Sequence, residues 1–401
     1  MAQMATTHRT DTCNPSAVLN QLPIECLQSF SEFQSIHDDW EAFMARNFPE
    51  NYARSHSWLS AWWTTYHHDQ PGLIYLQRDP ATKAIIAAAP LLIRRDQFGG
   101  FPVRSVQTIG SGIGSDDFLI GPENQGFVPA VFHDLMQNRR WELCRLQRSS
   151  SAKFQESLDQ TLISLATSMD PSHSDDYYIT FPPSYDDYHR SRTRKFRRNM
   201  NQAMNRLEKE GAVTIELLDP FVDAERVTAL GIEVSSTSWQ FSAGKSHFNN
   251  KGAASFYTNL AQRGSGTGGE EFTVLLVGGR PVAYLLGCRK GRTYYAIDTA
   301  FHADYRHVSA GRILFSMIFK RLIEQGDVEF FDFEGSGEYK DDYATDSRKA
   351  VSLTIYNRTL YPRCIRLLRN SSIYGLAKGF LNRTKSQAAQ VTTPEQAEVS
   401  P

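Results

Sequence analysis

Apolar residues in this chain follow two periods, and an element boundary is predicted wherever one gives way to the other. Phe272 to Val277 and Pro281 to Cys288 are continuous apolar runs joined by Gly278-Gly279-Arg280, the pattern of a tight hairpin whose strands are buried on both faces. Thr293 to Ile297 extends that sheet. Ile313, Leu314, Met317, Ile318, Phe319 and Leu322 then recur at helical spacing with Gly326 as the stop, and Glu329 to Phe333 returns to a short strand.

The first half reads in a similar way. Phe33, Ile36, Trp40, Phe43 and Met44 recur at helical spacing, and Ser57 caps a second predicted helix that opens Trp-Leu-Ser-Ala-Trp-Trp. Leu73 to Gln77 and Ala84 to Ile93 form a predicted hairpin around Asp79-Pro80. Phe101 to Leu119 is rich in Gly and Ser and ends in a strand preceded by Asp116-Asp117; Val128 to Asn138 reads as a helix and Trp141 to Gln147 as a strand. Strand, helix, strand thus occurs twice, with no matching phosphate loop in the first copy. Gly110-Ser-Gly-Ile-Gly114 opens no recognisable helix and reads as a flexible loop. The paired prolines Pro182-Pro183 make Pro171 to Asp187 the candidate linker. Beyond it, Phe196, Met200, Ala203 and Leu207 form the apolar stripe of a helix from Ser191 to Gly211.

A length of 401 residues fits two domains. They are expected at 23–180 and 181–385, between a polar, disordered leader (1–22) and a disordered tail (386–401). The formal net charge of -1 gives no global reason for nucleic-acid binding. Five cysteines, odd in number and without a C-x-x-C pair, suggest neither a disulfide framework nor a zinc site, and no metal is expected. The chain lacks a signal-peptide pattern and a run of roughly 18 apolar residues, so a cytoplasmic compartment is expected.

Charge matters locally. Arg190, Arg192, Arg194, Lys195, Arg197 and Arg198 crowd the start of the basic helix, which makes it either a solvated face or an anion-binding surface for an acidic sugar, a phosphate-bearing substrate or the nucleic-acid part of a donor. Arg358 to Lys385 interleaves basic residues with Ile365, Leu367, Leu368, Ile373, Leu376 and Phe380. That reads as a helix packed on the second domain or as a membrane-surface contact.

Candidate chemistry gathers in the second half. A helix entered through small residues, here Arg306-His307-Val-Ser309-Ala310-Gly311-Arg312, leaves its first N–H groups open to a phosphate or pyrophosphate. Glu334 to Lys340 continue the last strand toward the carboxyl end of the sheet, where crevices commonly hold ligands. Asp298 and Glu334, each at a strand end, are candidate general bases or structural carboxylates capping a turn. Lys340 suits a phosphate or an acceptor carboxylate. Ala243-Gly-Lys-Ser246 is not a phosphate-binding P-loop, because Trp239 stands where its first glycine belongs. No Gly-x-Ser-x-Gly supports a serine hydrolase.

These strands, with the Arg306-x-x-Ser309-x-Gly311 turn and its helix, are similar to the acyl-CoA-binding half of the GNAT superfamily, whose loop is Arg/Gln-x-x-Gly-x-Gly/Ala. Ser309 departs from the usual first glycine. A narrower resemblance covers about 300 residues and is to the bacterial acetyltransferase-like family of cellulose and exopolysaccharide synthesis, itself similar to FemAB-type double-GNAT proteins. It rests on Trp58, Trp62 and Trp63, the basic helix, Ser238-Trp239, Phe256-Tyr257, Pro281-Val-Ala-Tyr284, Asp298 with Tyr305, Gly311, and Gly337-x-x-Lys340. The resemblance implies an α/β fold of two tandem GNAT-like domains, each a mixed central sheet flanked by helices, the first a degenerate copy that shapes the acceptor cleft. It implies an acyl-CoA cosubstrate, acetyl-CoA in the simplest case, held at Arg306 to Arg312, and an acyl transfer onto an amine or a sugar. Proton transfer would fall to Asp298, Glu334, Tyr339 and Tyr343, and acceptor contacts to Trp239, Tyr284 and Lys340. Two alternatives stand: a FemAB-like transferase using aminoacyl-tRNA, and a noncatalytic scaffold docked on a membrane polysaccharide synthase at the inner face of the membrane.

Overall fold

The computed structural model describes residues 23–122, 126–238, 241, 248, 252–262 and 269–371. The expected leader, the tail, Trp239 and the far half of the second basic stretch lie outside them.

Among the described residues, thirteen strands alternate with helices. In chain order the strands are β1 (Ile24–Leu27), β2 (Gly72–Arg78), β3 (Ile85–Phe98), β4 (Phe101–Thr108), β5 (Leu119–Ile120), β6 (Leu143–Ser149) and β7 (Ser168–Thr180). They continue with β8 (Val213–Leu218), β9 (Glu270–Val277), β10 (Arg280–Lys290), β11 (Thr293–Phe301), β12 (Phe330–Asp332) and β13 (Asp346–Tyr356). The helices of the first half are α1 (Phe30–Ser35), α2 (His37–Asn47), α3 (His56–Tyr66), α4 (Phe127–Asn138) and α5 (Ala152–Ser164). Those of the second are α6 (Tyr185–Ser191), α7 (Arg194–Glu210), α8 (Ala224–Ser235), α9 (Gly252–Gln262), α10 (Ala310–Gln325), α11 (Glu338–Asp341) and α12 (Leu360–Arg369).

All thirteen strands belong to one mixed sheet, ordered β1-β2-β3-β4-β6-β13-β7-β12-β11-β10-β9-β8, with β5 beside β3. The two halves therefore meet through strands that change places. β13, from the end of the second half, lies between β6 and β7 of the first. One face of the second half buries α7 and α10 through Phe196, Leu207, Leu314 and Phe319. Trp58 of α3 and Phe256 of α9 pack over the other face of β9 to β11.

The predicted hairpin, its third strand and the helix ended by Gly326 all form, with Gly278, Gly279 and Gly326 at positive φ. Two expectations are corrected. Pro171 to Asp187 is not a linker: it supplies most of β7 and the start of α6. The cap of α3 is Ser55, whose hydroxyl accepts from the Trp58 N–H, and not Ser57. The Gly- and Ser-rich stretch after Phe101 opens with a full strand, β4. The second basic stretch does form a helix, α12, but its Ile365 packs on Val103 and Leu143 of the first half.

Candidate active site

The site begins where two parallel strands part. β11 and β12 pair from Thr293 with Phe330 to Tyr295 with Asp332, and the pairing then stops. Beyond that point a cavity of about 140 Å³ opens, lined by Ala296 to Thr299 of β11, Phe333 and Glu334, Phe315 of α10, and Tyr339 and Lys340 of α11. Opposite β10, Asp298 faces Leu286 whereas Ala296 faces Gly287, so Ile297 is an extra residue in the β11 ladder. Such a bulge re-aims the side chains that follow it. Here it brings Asp298 onto the face of Tyr284, whose hydroxyl donates to Asp298 Oδ2 at 2.7 Å.

Lys340 enters the cavity from α11, and its ammonium donates to the Phe333 and Gly335 carbonyl oxygens at 2.9 and 3.3 Å. Burial, helped by the neighbouring Arg148 cation, lowers its pKa to about 8. Desolvation and the Asp298 carboxylate hold the Tyr339 phenol above its ordinary value, so it is a proton donor at neutral pH.

Glu334 stands at a left-handed backbone position, φ 51°, and is braced from the first half. Its Oε2 accepts from the Arg148 guanidinium at 2.5 Å and from the Gly114 N–H at 2.9 Å. Arg148 also donates twice to Asp176 Oδ2, and Arg348 pairs with Asp332. Burial, and then the nearby Glu334 charge, raise the pKa of Asp332. This network lines a second cavity of about 460 Å³, which Glu50, Tyr52 and Tyr295 also border. The glycine loop read as flexible is thus an anchor: Asp116, fully buried, pairs with the fully buried Arg54 and accepts from Ser111 Oγ at 2.7 Å.

The N-terminus of α10 is a candidate anion site. Ser309 adopts φ 58°, ψ 43°, the left-handed turn from which α10 starts. A cavity of about 290 Å³ lies there, lined by Ser309, Arg312 and by Asn199, Gln202, Ala203 and Arg206 of α7. Amide and guanidinium donors beside a helix N-terminus fit a pyrophosphate.

The structure thus brings together Asp298, Glu334, Tyr339 and Lys340 around one cavity, with Tyr284 behind Asp298. It separates Tyr343, which is 1% exposed and packs among Phe196, Phe315 and Phe333. In the loop, Ser309 and Arg312 line the anion cavity, Arg312 also pairing with Asp342 at 2.8 Å. Ala310 is buried in the core and Gly311 lies against the Phe301 ring. Arg306 is exposed, and His307 is bound to the Asp304 carbonyl oxygen at 2.9 Å. Neither lines the cavity. The basic cluster is partly structural as well: Arg192 donates to the Tyr343 and Ala344 carbonyl oxygens and Arg197 to those of Arg190 and Arg192. Sequence reading missed Arg148, Asn199, Gln202 and Arg206. The polar face of the amphipathic α7 carried a signal for the last three; Arg148 carried none.

Residues 194–343 match the family model described as an acetyltransferase (GNAT) domain. No curated protein matches the sequence. Among solved structures, FemX is similar at 11% identity and TM-score 0.52, over 81% of this chain and 97% of that one. A conserved protein of unknown function from Bacteroides thetaiotaomicron is similar at 12% identity and TM-score 0.51, over 84% of this chain and 100% of the other. The architecture is α/β, a large mixed sheet flanked by helices, and fits a double-GNAT arrangement. Among the described residues no helix is long and apolar enough to cross a membrane.

Proposed function

We propose that this chain, with its GNAT acetyltransferase domain at 194–343, is an acyltransferase that takes an acyl-CoA donor and acylates an amine or a hydroxyl. The observation that carries this reading is the cavity between the parted ends of β11 and β12, where a carboxylate, a phenol and a partly buried lysine converge. The donor's pyrophosphate would rest on the α10 N-terminus between Arg206 and Arg312. When bound, the thioester supplies an activated acyl carbon. Asp298, positioned by Tyr284, accepts the proton that the acceptor loses as its new bond to that carbon forms. Tyr339 returns a proton to the sulfur as the carbon–sulfur bond breaks. The Lys340 ammonium, fixed on two carbonyl oxygens, favours the charge that develops on the acyl oxygen. Glu334 is held by Arg148 and Gly114 and serves to join the halves across the cleft. For the acceptor's setting, exopolysaccharide or cell-envelope synthesis, the support is the sequence resemblance.

Calorimetric titration with acetyl-CoA and a longer acyl-CoA tests the donor. Binding is expected for the protein and lost in Arg206→Glu, whereas Arg306→Glu retains it because that side chain does not line the cavity. No binding of either thioester overturns acyl-CoA as donor and turns the test to aminoacyl-tRNA.

A further inference from the structure

The cavity at Arg148 does not end the groove. Phe48, Asn51, Ser115 and Ser150 border both it and a third cavity of about 790 Å³ in the first half. Glu334 borders both it and the small cavity between the parted strands. The three spaces therefore adjoin, from the candidate transfer centre out to α5.

Two buried polar atoms along this groove lack a hydrogen-bond partner among the described residues: Tyr52 Oη and Asp176 Oδ1. Both residues line the middle cavity and both are 2% exposed. Arg148 engages only the other Asp176 oxygen. A buried acceptor left unpaired is costly, and a ligand hydroxyl or ammonium donating to it recovers that cost. Charge selects further. The middle cavity carries three carboxylates, Glu50, Asp176 and Glu334, against the guanidiniums of Arg148 and Arg348, so it repels an anion. The outer cavity balances Arg46 and Lys153 against Asp117 and Glu156. It is otherwise bordered by hydroxyls, amides, the aliphatic Leu119, Ile120 and Pro122, and the rings of Phe48, Phe118 and Phe154, a lining suited to a neutral chain with hydroxyl edges and apolar faces.

From this groove we infer that the acceptor is an oligosaccharide bearing free amino groups and no phosphate, bound along the groove with its reacting amine at Asp298 and the amine of another sugar unit beside Asp176 and Tyr52. This deepens the acyltransferase reading and rests on it. The amine nitrogen bonds to the acyl carbon, the carbon–sulfur bond breaks, and the proton released by the amine matches the one gained by the thiolate. A phosphorylated or nucleotide-linked sugar is excluded by the same charges.

The test is calorimetric titration of the full chain with a glucosamine tetramer, cellotetraose and glucosamine 6-phosphate, together with thiol release from acetyl-CoA. The tetramer is expected to bind at least tenfold more tightly than the other two and to stimulate thiol release. Tyr52→Phe and Asp176→Asn are each expected to weaken it at least fivefold while acetyl-CoA binding is unchanged. Thermal unfolding of both variants shows that they remain folded; if Asp176→Asn does not, Tyr52→Phe, which removes a single unpartnered oxygen, decides. Tetramer binding that is absent, no tighter than that of glucosamine 6-phosphate, or indifferent to Tyr52→Phe overturns the inference. Acetyl-CoA binding that persists in those cases leaves the donor reading standing, so the two failures are distinguishable.

Discussion

Lys340 is the residue whose environment makes the sharpest demand. Its ammonium is partly buried, and desolvation lowers its pKa to about 8, so a role that needs its charge fails as pH rises through that value. The alkaline limb of kcat/KM is therefore expected near pH 8, and Lys340→Arg should move it upward. Lys340→Gln should lower kcat about 100-fold, as loss of one donor to a developing oxyanion does. Stability runs the other way. The folded pKa lies below that of an exposed lysine, so the unfolded chain binds more protons between the two values and the native state gains stability there as pH rises. Ser309 makes a separate demand, because a non-glycine residue at φ 58° is strained by about 1–2 kcal/mol. Ser309→Gly relieves that strain against a smaller entropic cost, and denaturant unfolding should show a net gain of roughly 1 kcal/mol. Donor binding should survive. The branched Ser309→Val should lose both stability and donor affinity.

At the scale of elements, what a single sequence reveals depends on whether an element carries its own pattern. The β9 to β11 strands and α10 do, because apolar runs and helical periodicity reflect burial of their own faces. β7 does not. Its sequence, SMDPSHSDDYYIT, has a proline and four acids or hydroxyls in its middle, and reads as a linker by composition. It becomes a strand through its neighbours: Asp175 and Asp176 stand opposite Lys349 and Arg348 of β13, and Lys349 Nζ meets Asp175 at 2.6 Å. Tertiary pairing overrides propensity here. The same holds for the site. Asp298 and Glu334 were legible as carboxylates following apolar runs and Lys340 as part of the polar continuation of the last strand, although β11 runs on past Asp298 to Phe301, while Arg148 and Asp176 acquire meaning only when β6 and β7 flank β13. Turns make a testable case. Gly211, which ends α7 at φ 154°, lies so close to the β9–β10 hairpin that a Cβ would stand 2.8 Å from the Gly278 nitrogen. Backbone cannot yield as a side chain does, so Gly211→Ala should cost about 2 kcal/mol in equilibrium unfolding, and Gly279→Ala, which meets nothing within 4 Å, should cost less.

Across the whole molecule, the exchange of strands makes the two halves depend on each other. β13 fills the gap between β6 and β7, pairing with β7 along its full length. A fragment covering 23–180 would lack β13 and expose the edges of both strands, and unpaired edges of that length invite aggregation. The fragment is therefore expected to be insoluble, and the full chain to unfold in one calorimetric transition with equal calorimetric and van't Hoff enthalpies. Two separated transitions would show that the halves are independent. Arg148 ties this architecture to the site. It joins Asp176 on β7 to Glu334 beyond β12, and it is largely buried between them. Removing the cation leaves two carboxylates facing one another without compensation, so Arg148→Met should destabilise the protein by about 3–5 kcal/mol. The double variant Asp176→Asn with Arg148→Met should recover part of that loss by removing one stranded charge. If both variants lose the same stability, the network is not coupled and the groove does not depend on it. Recovery would mean that Arg148, Asp176 and Glu334 act as one coupled network joining the halves.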